Sequence, residues 1–195
     1  ALGAYALENN TTGSYNCAFG YKALEANTTA NFNTAYGYYS LLKNTTGGNN
    51  VAIGKAALKQ NVTGARNTAV GYNALEENTG NDNTAVGNNA LITNTTGIAN
   101  TAVGVYTLDA NTEGDYNSAF GYVALGANTT GGKNVAIGRS ALGVNTTGNG
   151  NVAIGFEAGD GVLTNNFTTA VGYQALTSNT SGLLTALGAY ALYTN

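Results

Sequence analysis

The chain has 195 residues, of which 28 are Gly, and it contains no Pro, His, Met or Trp. Seven Lys and Arg and ten Asp and Glu give a formal net charge of −3. So few positive charges argue against binding of nucleic acid, and no basic cluster predicts adsorption to an acidic membrane. No apolar run approaches the roughly 20 residues of a transmembrane helix, so no membrane insertion is expected. The single Cys17 excludes an intrachain disulfide.

A Gly recurs every 17 residues from Gly3 to Gly188, with shorter steps of 16 residues after Gly71 and Gly172. These twelve repeats cover the chain, and a fixed period of this length is typical of solenoids and repeat arrays. The chain starts inside a repeat, with "ALGAYAL". We therefore expect a single repeat domain over residues 1–195, without an internal linker, as a piece of a longer fibre.

The first part of each repeat predicts a β-strand that ends at the Gly. Its pattern is Asn, a small residue, Ala, an apolar residue and Gly, as in "NTAVG" at 67–71. Such a short β-branched run between Asn and Gly is typical of strands. Side chains alternate between the two faces of a strand, so Thr68 and Val70 should share one face while Ala69 takes the other. The Ala is invariant, which predicts close packing. Representative members of the Ala and Gly columns are Ala52, Ala69, Ala85, Ala102, Ala136, Gly54, Gly71, Gly87, Gly104 and Gly138.

The rest of the repeat predicts a second, shorter strand or extended segment, followed by a turn. Ala and Leu follow the Gly by three and four residues, and Asn follows it by seven and opens "NTTG". In such a turn Asn bonds its own backbone and Gly supplies a positive φ. Helix is disfavoured because the glycines recur too often. Representative members of the Leu and Asn columns are Leu58, Leu75, Leu91, Leu108, Asn61, Asn78, Asn94 and Asn111.

Two strands and two turns in 17 residues predict a thin coil, and stacked coils predict an all-β parallel β-solenoid. At about 4.8 Å per coil, twelve coils would make a rod on the order of 55 Å long. Identical residues would then lie above one another as Asn ladders and aliphatic columns. Each coil offers only about two large apolar residues, such as Val70 and Leu75. We therefore expect the rod to bury a second face against copies of itself.

The repeats "NVAIG" (50–54, 134–138, 151–155) and "NSAFG" (117–121) resemble the repeat of the head domains of trimeric autotransporter adhesins. That resemblance implies a left-handed parallel β-roll packed as a homotrimer. The fuller "NTAVGYxAL..NTTG" form is similar to repeats in phage tail fibres and in bacterial surface proteins that carry a fibre-type C-terminal chaperone domain, and both origins stay open. The 17-residue repeat is longer than in the adhesin heads, with the extra residues in the "NTTG" loop. The resemblance implies an extracellular fibre or adhesin segment, on a cell or virion surface.

No residue pattern predicts an enzyme, a cofactor or a metal. The chain lacks His, and Glu76 and Glu77 are adjacent, so on a strand they would point to opposite faces. Calcium-binding β-rolls place Asp in register in every coil, whereas the acids here do not align. Glu157 and Asp160, in the irregular repeat 155–166, are the best isolated metal candidate. A remodelled coil is the preferred interpretation of that repeat.

Nine of the 13 Tyr residues fall one or two places after the Gly and predict an aromatic stripe along one edge. Aromatic faces could stack on surface glycans, although shielding of turns or of neighbouring chains is the favoured interpretation. The candidate ligand edge comprises Tyr21, Tyr38, Tyr72, Tyr122 and Tyr173.

Two more interpretations stay open beside the fibre. Thr arrays are typical of ice-binding solenoids, but the Thr column before the Gly alternates with Val, Cys and Ser, which favours packing. Asn-x-Thr/Ser would be a glycosylation acceptor in a eukaryotic secretory protein, but the turn explains these residues without a sugar. The sequence predicts a stiff structural rod whose partner is itself, as a trimer or filament. The alternatives are a tail-fibre shaft that contacts surface glycans and an ice-binding solenoid. The Asn-x-Thr/Ser motifs begin at Asn10, Asn27, Asn44, Asn61, Asn94, Asn128, Asn145 and Asn179.

Overall fold

The computed structural model describes residues 1–162, 164–178 and 183–193. Its strands form one 11-stranded sheet in which every neighbouring pair is parallel and follows chain order. Leu2 adds an isolated parallel bridge to Phe19, one repeat before the first strand. No helix that could cross a membrane occurs in these ranges. The prediction of an all-β parallel β-solenoid is confirmed. The strands are β1 (Cys17–Phe19), β2 (Thr34–Tyr36), β3 (Val51–Ile53), β4 (Thr68–Val70), β5 (Thr84–Val86), β6 (Thr101–Val103), β7 (Ser118–Phe120), β8 (Val135–Ile137), β9 (Val152–Ile154), β10 (Thr169–Val171) and β11 (Thr185–Leu187).

Equivalent residues of successive repeats pair in the sheet. Ala69 of β4 is the partner of Ala52 on one side and of Ala85 on the other. The register is kept across a 16-residue step, because Thr68 still pairs with Thr84. The missing residue is taken from the turn, which reads "NTG" at 78–80 instead of "NTTG".

The strands alternate between a buried centre and two outward-facing flanks. Ala69 is fully buried, whereas Thr68 and Val70 on either side of it are partly exposed. The predicted alternation is therefore confirmed. Val70, which was counted with Leu75 among the large apolar residues of a coil, lies on the outer side, and so does the position of Thr, Val, Ser and Cys that was predicted to be packed. Of each strand, only the small Ala points into the interior.

Within the described residues, a sharp corner takes the place of the predicted second strand or extended segment. Gly71, Asn73 and Leu75 have φ values of 141°, 53° and 53°, so alternate residues adopt positive φ. This backbone brings the consecutive residues Ala74 and Leu75 both into the interior, where they are fully buried. An extended strand would have sent them to opposite sides. Positive φ costs an L-residue roughly 1–2 kcal/mol, which the burial of Leu75 offsets.

The glycine of "NTTG" serves a purpose different from the predicted one. Gly47 and Gly64 do not have positive φ. A larger residue would not fit at these positions, because a Cβ added to Gly47 would lie 2.2 Å from the carbonyl oxygen of Gly64 in the next coil. Adjacent coils touch here backbone to backbone.

The core is a column of Leu flanked by columns of Ala. One coil departs from this pattern, because Gly159 replaces the Leu and Val162 replaces the Asn that follows it three residues later. Val162 is fully buried, so this coil still contributes one branched aliphatic side chain to the interior. The Leu column comprises Leu24, Leu41, Leu58, Leu75, Leu91, Leu108, Leu125, Leu142 and Leu176.

A first Asn ladder runs beside the start of the strands. The backbone N–H of Asn67 donates to Oδ1 of Asn50 in the preceding coil, at 2.9 Å. The Nδ2 of Asn67 donates to the carbonyl oxygen of Gly80 in the following coil, also at 2.9 Å. Each buried amide therefore joins three successive coils. The ladder comprises Asn16, Asn33, Asn50, Asn67, Asn83, Asn100, Asn117, Asn134 and Asn151.

A second Asn ladder stands in the "NTTG" turns. The Nδ2 of Asn94 donates to Oδ1 of Asn78 at 2.7 Å and to the carbonyl oxygen of Gly97 at 2.9 Å. Oδ1 of Asn94 accepts from Nδ2 of Asn111 at 2.8 Å. The ladder breaks after Asn61, whose buried Oδ1 has no donor among the described residues. That break falls beside the shortened turn at 78–80.

Candidate functional site

The outer side of the sheet is a surface without charged residues that runs along all eleven strands. Two columns of side chains, which we call the sheet face, project from it, and Ile53 and Ile137 are 40% and 41% exposed. The rings of Phe19 and Tyr36 stack along it with centroids 4.6 Å apart. A continuous exposed apolar surface of this kind marks an interaction site in soluble proteins. The columns are Cys17, Thr34, Val51, Thr68, Thr84, Thr101, Ser118, Val135, Val152, Thr169 and Thr185, and Phe19, Tyr36, Ile53, Val70, Val86, Val103, Phe120, Ile137, Ile154, Val171 and Leu187.

The predicted aromatic edge is broken into separate groups of rings. Tyr21 and Tyr38 stack at 5.3 Å, and Tyr173 stacks on Phe156 at 5.2 Å. Tyr122 instead packs edge-on against Tyr106, at 6.4 Å. The edge therefore alternates between ring clusters and gaps.

Cations interrupt the same edge. Lys55 lies over the ring of Tyr72, with its Nζ 5.1 Å from the centroid, and Arg139 lies over the ring of Phe156 at 5.0 Å. A cation over an aromatic face is favourable and covers that face. Some rings of the stripe are therefore engaged by contacts within the chain, while Tyr72 and Tyr122 remain 44% and 51% exposed.

Ion pairs join neighbouring coils along the surface. Lys59 and Glu76 approach to 2.9 Å and Arg66 and Asp82 to 2.6 Å. The Glu76 carboxylate raises the pKa of Lys59, and the Arg66 guanidinium lowers the pKa of Asp82. Exposed pairs of this type are screened by solvent, and holding two long side chains in place costs entropy. They stabilise coil stacking only slightly.

The two residues of the irregular repeat do not converge on a common ligand position. One carboxylate oxygen of Glu157 accepts from Arg139 at 3.0 Å and the other from Gln174 at 2.7 Å. Burial, followed by the negative charge of Glu157, raises the pKa of Asp160. Within the described ranges, no three His, Cys, Asp or Glu side chains gather in a group that could hold a metal ion.

Most Asn residues of the Asn-x-Thr/Ser motifs are inaccessible to a sugar. Asn27, Asn44, Asn61, Asn94, Asn128 and Asn145 are fully buried, and the second ladder uses their amides. Asn10 is only partly buried, and Asn179 lies outside the described residues. The first Thr of the turn is also engaged, since Oγ1 of Thr95 donates to the carbonyl oxygen of Thr112 at 2.9 Å. These Asn and Thr residues hold coils together.

A second column of aromatic residues was not predicted from the sequence. Tyr15, Phe32, Tyr116 and Phe167 all stand five residues before the Gly, with φ between 56° and 60°. Each of them is more than half exposed. Counting Tyr and Phe together by their position in the repeat would have revealed this column. It lies on the side of the strands opposite to the predicted Tyr edge.

A comparison with protein-family models, with curated proteins and with solved structures finds no match for this chain. The interpretation of these surfaces therefore depends on their physical properties and on the resemblance of the repeats.

Proposed function

We propose that the chain is a non-enzymatic segment of an extracellular fibre, in which identical rods pack through their sheet faces. The observation that supports this proposal best is the sheet face itself. Twenty-two side chains from eleven strands line it, and none of them is charged. Monomeric soluble proteins rarely expose contiguous apolar patches larger than a few hundred Å², so a face of this kind favours an interaction site.

Identical copies are the partner that suits this face. Its chemistry is the same from β1 to β11, so two copies aligned along their axes would match apolar columns over the whole length. The resemblance of the repeats to trimeric adhesin heads supports a trimer of left-handed rolls. The rod would act as a stiff spacer that presents or separates binding parts of a longer fibre.

Stiffness follows from the bonding between coils. The first Asn ladder and the backbone pairing of the sheet join successive coils, and the second ladder joins most of them. Bending the rod would therefore break buried hydrogen bonds. A buried donor or acceptor that loses its partner costs about 1–3 kcal/mol. A rod of this construction resists bending along its whole length.

Light scattering on the purified 19.7 kDa chain tests the assembly. We expect a solution mass of three chains at micromolar concentration. A mass of two or four chains would contradict the trimer but keep self-association. A folded monomer at the highest soluble concentration would contradict the proposal as a whole.

A further inference from the structure

A cavity of about 460 Å³ crosses four consecutive coils near the starts of β7 to β10. Tyr116, Lys133, Gly150 and Phe167 occupy the same position in those coils and line it. We call this cavity the aromatic cleft, and its lining also includes Glu113 and Asp115. Its volume lies within the range of about 300–1,000 Å³ that is usual for small-molecule sites.

The cleft forms because two of its lining residues are glycines, which have no side chain to fill the space. Near the start of the chain the adjacent rings of this column, Tyr15 and Phe32, stack directly at 4.9 Å. Gly150 has no side chain, and a Cβ added to it would lie 2.8 Å from Cδ1 of Phe167. Gly132 is the second, since an added Cβ would lie 3.0 Å from the carbonyl oxygen of Asp115. The Phe167 ring therefore covers Gly150, and open space remains on the side of Tyr116.

Three charged side chains line this space, and each has a polar atom with no hydrogen-bond partner among the described residues. Oδ1 of Asp115 accepts from the backbone N–H of Ile98 at 2.7 Å, which fixes the side chain and leaves Oδ2 available. The carboxylate of Glu113 and the ammonium of Lys133 form no ion pair within the described part of the chain. The cleft thus combines acceptors, a cationic donor and two exposed rings.

The backbone of the cleft is closed to an added strand. The N–H groups of Lys133, Gly150 and Phe167 donate to the preceding coil at 2.8, 3.0 and 2.9 Å. A peptide that binds by strand addition needs unpaired backbone groups. The ligand must therefore be recognised through side chains.

We propose that the aromatic cleft binds pyranose units of a neutral glycan. A sugar ring has a face of C–H bonds that fits the negative face of Tyr116 or Phe167. Its hydroxyls can donate to the carboxylates of Glu113 and Asp115 and accept from Lys133. Two carboxylates against one ammonium give the cleft a formal charge of −1, which disfavours sialylated and sulphated sugars. This site goes beyond the fibre role and does not depend on it.

The test is an array of neutral oligosaccharides containing galactose, glucose and N-acetylglucosamine, with sialylated and sulphated versions, probed with the whole chain. Tyr116→Asn and Phe167→Asn remove the rings, and Asn suits their positive φ, as Asn49 does in the same column. Phe32→Asn is the matched control, because it removes an equally placed ring outside the cleft. We expect binding to neutral sugars that weakens at least tenfold in the two cleft variants and persists in the control.

Gly150→Asn is a third cleft variant, which keeps the positive φ and fills the floor of the cleft. Circular dichroism and melting temperature establish that each variant is folded. Lack of binding to any neutral sugar would overturn the proposal. So would binding that persists in all three cleft variants, or binding confined to charged sugars. Capture of peptides but not of sugars on a parallel peptide array would also overturn it.

Discussion

Val162 occupies in its coil the position that Asn145 occupies in the preceding one, and the buried Oδ1 of Asn145 has no hydrogen-bond donor among the described residues. In most other coils that oxygen accepts from the next Asn, as Oδ1 of Asn94 accepts from Asn111. A Val side chain cannot donate, so the second ladder ends here. Asn residues of one column therefore differ in how much they stabilise the rod.

The first prediction compares Asn94→Ala with Asn145→Ala. Asn94 makes three side-chain hydrogen bonds, and its replacement should lower the free energy of unfolding by about 2–4 kcal/mol. Asn145 makes two longer ones, at 3.0 and 3.3 Å, and its replacement should cost about 1–2 kcal/mol. Urea denaturation at a single protein concentration measures both. Equal losses would show that the ladder does not depend on the neighbouring donor.

The second prediction concerns contact between coils at the strand ends. Gly54 has φ 133°, and an added Cβ would lie 2.3 Å from the carbonyl oxygen of Gly71, which is backbone and cannot move aside. Gly54→Ala should therefore lower the free energy of unfolding by about 4 kcal/mol or more. Gly188 has a similar φ of 120°, but no described residue lies within 4 Å of an added Cβ, so Gly188→Ala should cost only about 1–2 kcal/mol. Denaturant titration separates the clash from the dihedral cost. Similar losses in both variants would argue against the clash.

The third prediction tests the sheet face by charge. Ile137→Lys places an ammonium in the middle of the apolar column and should shift the solution mass to one chain, or weaken association at least tenfold. Tyr72→Lys is the control, because the equivalent position of the preceding coil carries Lys55. Light scattering over a dilution series measures association. An unchanged mass for Ile137→Lys would place the self-contact elsewhere on the rod.

The fourth prediction is a pH dependence. Burial raises the pKa of Asp109, so the folded state holds its proton more tightly than the unfolded chain. Its contribution to stability is present below the unfolded pKa, about 4, and is lost as pH rises through the folded pKa. Asp109→Asn should therefore be more stable than the parent chain at pH 7 and lose that advantage in acid.

Asp82→Asn is the counterpart with the opposite sign. Because Arg66 lowers the pKa of Asp82, its contribution is present above the unfolded pKa and is lost as pH falls through the folded pKa. This variant should gain nothing at neutral pH. Urea midpoints between pH 3 and pH 8 provide the measurement, and a gain at pH 7 in both variants would contradict the assignment.

The period and the columns were enough to predict the coil, the parallel register and the inward side of Ala69. They could not predict the corner, because Leu75 is not a residue that signals positive φ. The alternation of side chains also placed Val70 and Thr68 on one face of the strand, but it did not indicate that this face is the outer one. The aromatic cleft could not be predicted for another reason. It forms because Gly132 and Gly150 lack side chains, and the residues that line it belong to different coils that are far apart in the sequence.

The register of the sheet makes the rod divisible into interchangeable units. If residues 84–100 were removed, Asn83 would lead directly into 101–103, and Ala102 would take the place beside Ala69 that Ala85 now holds. The strands on either side of the cut would meet equivalent Thr, Ala and Val residues. Recombination between repeats can therefore shorten or lengthen such a rod in steps of about 4.8 Å while the strand register is kept.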